Sequence, residues 1–95
     1  MTDLDPIIIN IPCPTKEEAK KLCKVLLEKD LCGTAKISPT CLMYPGPNGV
    51  SDEDVVLVSL KTTKTKLAGV HEFILKNHSW GTPCIEVLPL VTDMC

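Results

Sequence analysis

Apolar and polar positions change period several times along this chain, and each change marks an element. Ile7-Ile8-Ile9-Asn10-Ile11 is a β-branched run that fits a strand, and Pro12, which has no N–H to give to a ladder, is expected to end it. The period then lengthens. Ala19, Leu22, Cys23, Leu26 and Leu27 recur at the spacing of one helical face, while Lys16, Glu17, Lys20, Lys21, Lys24 and Glu28 take the other. Thr15 followed three residues later by Glu18 has the form of a capping box, and Glu17 stands four residues before Lys21 in the favourable order. This helix is expected to run to about Lys29 and stop near Gly33.

Residues 34–44 alternate less regularly. Ala35 and Ile37 have polar neighbours, Pro39 interrupts, and Cys41-Leu42-Met43 resumes, which reads as a bent or two-part strand. Pro45-Gly46-Pro47-Asn48-Gly49 combines fixed φ with an Asn-Gly step and should turn the chain into a hairpin. Val55-Val56-Leu57-Val58-Ser59-Leu60 is the strongest strand signal and runs on into Lys61-Thr62-Thr63. Leu67, Val70, His71 and Ile74 mark a second helical face, in which His71 is expected to pack; Gly69 weakens this helix by ~1 kcal/mol relative to alanine. It should end around Asn77, and Ile85-Glu86-Val87-Leu88, closed by Pro89, makes a last strand.

The order strand, helix, strand, strand, helix, strand predicts an α+β chain of the ferredoxin-like βαββαβ type, one antiparallel sheet with both helices on one face. Residues 1–95 fit a single domain, with no repeat or linker. The first and third strands are apolar at nearly every position, yet two helices cover only one face of a sheet. The bare face must bury itself against something, and a further copy of the chain is the expected partner. The small size argues the same way, since a core this small needs a cross-link, a metal or a partner subunit.

Ten lysines, no arginines and twelve carboxylates leave a net charge of -2, so no basic face suits nucleic acid. The longest apolar runs, residues 7–9 and 55–58, fall far short of the roughly 20 residues a membrane helix needs. Six cysteines would suggest a disulfide scaffold in an exported protein, but Met1-Thr2-Asp3-Leu4-Asp5 has neither a basic n-region nor an apolar h-region. Small half-buried thiols in a reducing cytoplasm are therefore expected, the more so because no C-x-x-C pair or zinc-finger spacing occurs.

A ferredoxin-like fold hosts several chemistries, each with a requirement. An RNA-recognition module needs stacking aromatics on the third strand, and residues 55–60 have none. A copper chaperone needs two cysteines two residues apart after the first strand; here Cys13 is followed only by Cys23, on the helix's buried face. An acylphosphatase is expected to need an arginine in that loop, and the chain has no arginine.

Glu53-Asp54-Val55-Val56-Leu57-Val58-Ser59-Leu60-Lys61-Thr62-Thr63 resembles the third strand of the CutA divalent-cation-tolerance family, with its E-D-x-E-V-x-L-x-x-K-T-T pattern. The likeness continues through His78-Ser79-Trp80-Gly81-Thr82-Pro83, where the family has H-P-Y-x-x-P, and into a last strand ending Leu88-Pro89. Upstream, residues 14–31 are similar to the family's P-x-x-x-x-A-x-x-L helix, and Ile37-Ser38-Pro39 and Tyr44 fall where it has I-I-P and a tyrosine. The chain departs from the pattern at Thr34 and Ile11, where members carry cysteine, and at the turn of residues 45–49; it ends at Cys95, before the family's C-terminal helix. Cys13 is two residues past the lost first-strand cysteine, in the place of a relocated ligand.

The resemblance implies a non-enzymatic homotrimer linked to tolerance of copper or another divalent metal ion, with sheets joined edge to edge. The alternative is a trimeric small-molecule sensor like the PII signalling proteins. His78 is the histidine that the motif places, just past a helix end, and is the expected metal ligand, with Cys84 and Glu86 on one face of the last strand as the additional donors. A site completed across a subunit boundary would make up for the few donors in one chain. Lys61 is expected to pair with a carboxylate such as Glu86, and Trp80 and Tyr44 to line a cleft between subunits.

Overall fold

The computed structural model describes residues 5–91; Cys95 and residues 1–4 lie outside them. β1 (Pro6–Cys13) is the strand on which the sheet is built, alternating between buried and half-buried residues along its length. Ile7, Ile9, Ile11 and Cys13 face the helices and are almost wholly buried, each isoleucine contributing roughly 2–3 kcal/mol by leaving water. β1 does not stop at Pro12 as expected. β4 (Glu86–Pro89) pairs with β1 only as far as Asn10, so beyond that point β1 has a single neighbour and tolerates a residue without an N–H.

α1 (Lys16–Glu28) begins where the Thr15 hydroxyl accepts the Glu18 N–H at 3.1 Å. It buries Ala19, Leu22, Cys23 and Leu26. Its terminus is set by Asp30 at φ 58 rather than by Gly33, with Leu31 N–H closing back onto the Leu26 carbonyl. Gly33 instead donates its N–H to the Lys61 carbonyl.

β2 (Thr34–Gly46) is one continuous strand rather than two parts, because it lies at the sheet edge, where Pro39 costs no ladder bond on its open side. The turn is also tighter than expected: Gly46 still pairs with Gly49, leaving Pro47-Asn48 as a two-residue connection with Gly49 at φ 112. β3 (Gly49–Thr63) then runs the full length of β2 and alongside β1. A short 3₁₀ turn (Lys64–Lys66) leads into α2 (Leu67–Asn77), which buries Val70 and Ile74. Gly69 has a packing reason, since a Cβ there would come within 2.9 Å of Leu31 Cδ2.

The sheet order is β2-β3-β1-β4 with every pairing antiparallel, and residues of both helices join one core cluster on one face, the expected ferredoxin-like arrangement. The other face carries Ile8, Leu57 and Leu88, in register with their neighbours, and Leu88 is exposed. The molecule is elongated, 51 × 26 × 20 Å, because the far half of the β2–β3 hairpin projects as an arm with mostly exposed residues. Among the described residues no helix is long and apolar enough to cross a membrane.

Candidate functional site

A polar constellation gathers around His78, the residue that caps the C-terminus of α2 and donates its N–H to the Ile74 carbonyl. Its side chain is fully buried. Nε2 lies 2.7 Å from the Pro12 carbonyl, which can only accept, so Nε2 carries the proton. Nδ1 then accepts the Trp80 N–H at 3.1 Å, which leaves neither nitrogen open. The Trp80 ring sits 5.2 Å from the imidazole, tilted 50°.

Glu18 closes this constellation from α1. Its carboxylate accepts the Ser79 N–H at 2.9 Å and lies 3.6 Å from Nδ1. The capping box is therefore only half made: Thr15 holds Glu18's N–H, but the Glu18 carboxylate reaches across to the loop after α2 instead of back to Thr15. Partial burial opposes ionisation of Glu18, but the Ser79 hydrogen bond, His78 and Lys21 outweigh it and hold its pKa below the ordinary carboxylate value. The capping pattern in the sequence marks Glu18, but its pairing with a loop 61 residues away leaves no local signal.

The other expected site residues are not brought to His78. Glu86 opens β4 and pairs with Asn10 on the bare face, while Cys84 precedes the strand instead of alternating within it; both are exposed. Among the described residues of one chain, no three His, Cys, Asp or Glu side chains are grouped to hold an ion. Lys61 stands opposite Ile8 and Thr34, two rows of pairs away from Glu86. Tyr44 lies on the arm with its hydroxyl 3.2 Å from Glu53, which raises the phenol's pKa, and no ring contact joins it to Trp80 among the described residues. His71 is exposed rather than packed.

Sequence reasoning missed the row that crosses the bare face. Glu86, Asn10, Ser59 and Lys36 are successive cross-strand partners and so share a face, and Ser59 Oγ donates to Asn10 Oδ1 at 2.6 Å. Asn10 is the one polar residue in the run of residues 7–11, and that interruption was the available signal.

The cysteines divide cleanly. Cys13, Cys23 and Cys32 are buried in the core, and burial pushes the Cys13 and Cys23 thiols up to about 11, so Cys13 offers no thiolate to a metal at neutral pH. Cys41 and Cys84 are exposed and free.

Comparison with known proteins gives a consistent result. Residues 7–93 match the family model described as CutA1 divalent ion tolerance protein. The divalent-cation tolerance protein CutA of Archaeoglobus fulgidus is 32% identical over 82 residues, spanning 86% of this chain and 80% of that one. The solved structure of the periplasmic divalent cation tolerance protein CutA from the same organism superposes with a TM-score of 0.84 at 29% identity, covering 94% of this chain and 87% of that one. CutA1 from Oryza sativa shares the fold at a TM-score of 0.86 with 23% identity, covering 96% and 84%.

Proposed function

Because the chain belongs to the CutA1 divalent ion tolerance family, we propose that it is a non-enzymatic homotrimer that binds copper or another divalent metal ion and serves tolerance of such ions. The family match over residues 7–93 carries this reading. Assembly is supported by the bare apolar face, where Ile8, Leu57 and Leu88 have no covering layer among the described residues of one copy. His78 and Glu18 have the composition of an acid–base pair, yet both imidazole nitrogens are committed to backbone groups, which supports a non-catalytic role.

The described residues of one chain do not gather a sufficient donor set. The ion is therefore assigned to a boundary between copies, with Cys84 and Glu86 as exposed donors. His78 joins them only by releasing the Trp80 N–H from Nδ1. The free thiols suit a reducing compartment, and the protein is assigned to the cytoplasm, which cell fractionation tests.

Calorimetric titration with copper and zinc, beside a nucleotide panel and a light-scattering mass, tests the function. Cys84→Ser, Glu86→Gln and His78→Ala should each weaken metal binding roughly tenfold or more without changing the assembled mass. Unchanged affinity in all three variants removes the site, a monomeric wild type removes the assembly, and nucleotide binding without metal binding favours a PII-like sensor.

A further inference from the structure

α1 and α2 lie antiparallel on the helix layer: Glu18 at the start of α1 bonds Ser79 just beyond α2, and Asp30 beyond α1 pairs with Lys66 just before α2. Between them runs a groove of about 450 Å³, within the roughly 300–1,000 Å³ of small-molecule sites. Helix residues alone line it, so it belongs to the layer opposite the bare face of the sheet. Its α1 wall is the stripe Glu18, Lys21, Leu22 and Val25, one face of the helix, with Glu17 beside it. The stripe changes character along its length. Charge is confined to the first turns, and beyond them Leu22, Val25 and Phe73 of α2 make an apolar half.

The charged half is not satisfied from within. Glu17 and Lys21 stand four apart in the order that favours pairing, yet no ion pair joins them among the described residues. Glu18 is anchored through Oε2, which accepts the Ser79 N–H, while its Oε1 accepts no hydrogen bond among the described residues. Lys21 helps to keep this carboxylate ionised, so cation and anion are near neighbours at one end of the groove.

We propose that this groove binds an amino acid with an apolar side chain, its ammonium on Glu17 and Glu18, its carboxylate on Lys21 and its side chain over Leu22, Val25 and Phe73. The charges select the class. A simple amine would leave Lys21 without an anion, and a simple carboxylate would be set against two carboxylates with one lysine to balance them. A zwitterion answers both signs within the single helical turn from Glu17 to Lys21. The walls are already fixed, Glu18 by Ser79 and the Phe73 ring by Lys29, whose ammonium lies 5.5 Å from the ring centroid. The site goes beyond the metal reading and uses neither Cys84 nor Glu86.

Isothermal titration calorimetry of the full chain with L-leucine and L-phenylalanine tests this, beside isoamylamine and isocaproate, which are leucine without its carboxylate and without its amine. At least one of the two amino acids should bind. Isoamylamine and isocaproate should each bind at least tenfold more weakly than leucine, because one sign of the site is then unanswered. Lys21→Met should weaken the amino acid at least tenfold and leave isoamylamine unchanged, whereas Glu17→Gln should weaken both. Both positions are exposed, so the fold should persist, which circular dichroism verifies. Silence from both amino acids, an amine as tight as leucine, or a Lys21→Met variant with wild-type affinity would overturn the proposal. Metal titration of the same variants reads the family function separately.

Discussion

The imidazole of His78 donates to the carbonyl of Pro12 across 66 residues of sequence, tying the end of α2 to the end of β1. Its other nitrogen holds the Trp80 N–H, so one ring satisfies two backbone groups. His78→Ala should leave both unpaired and destabilise the protein by about 2–4 kcal/mol. Urea denaturation measures the loss. Trp80 is the only tryptophan, so its fluorescence should shift in the variant's native state. A stability within 0.5 kcal/mol of wild type, roughly the noise of surface substitutions, would mean the two bonds contribute little.

Glu18 gives the same region a dependence on acid. Its folded pKa is depressed, so its contribution is complete above the ordinary carboxylate range and is lost as pH falls through the folded value. Glu18→Gln keeps an oxygen for the Ser79 N–H but carries no titrating charge. The difference in stability between wild type and Glu18→Gln should therefore shrink between neutral pH and about pH 3. Parallel curves for the two proteins over that window would contradict the assignment.

Buried and exposed thiols should separate by reactivity. With an aromatic disulfide reagent at pH 8, replacing Cys41 and Cys84 by serine should remove two fast-reacting equivalents, whereas the same change at Cys13 or Cys23 should remove none. At the alkaline end the sign reverses relative to Glu18. The raised Cys13 and Cys23 pKa values give a contribution intact below about 9 and lost as pH climbs toward about 11. Flat stability over that interval would show that the core admits thiolates.

Gly69 offers a test of packing against propensity. Alanine in a helix interior ordinarily gains about 1 kcal/mol over glycine, but here the new Cβ meets Leu31 Cδ2. Gly69→Ala alone should gain clearly less than that, and should gain it in full in a Leu31→Ala background. A double-mutant cycle with no coupling would rule out the contact as the reason for glycine.

The fold was largely legible because its elements advertise themselves by period, from the β-branched run of residues 7–11 to the helical spacing from Ala19 to Leu26. Errors fell where sheet position overrides a residue's local preference. Pro12 and Pro39 were read as interruptions, but one lies beyond the reach of β4 and the other on an edge. Asp30 took the left-handed position expected of Gly33 because aspartate tolerates αL. The site was less legible. His78 was found by its motif, but its partners Pro12, Glu18 and Trp80 come from three different segments, and no spacing encodes a meeting of that kind.

A sheet with its first strand in the middle also imposes an order on synthesis. β1 emerges from the ribosome first, yet its two neighbours are β3 and β4, the latter made only at residues 86–89. β2 and β3 need no such wait, being joined by a two-residue turn, and should pair first as the growing chain appears. Until then Ile7, Ile9 and Ile11 have no sheet to enter, and this is the interval in which the nascent chain is most exposed to aggregation.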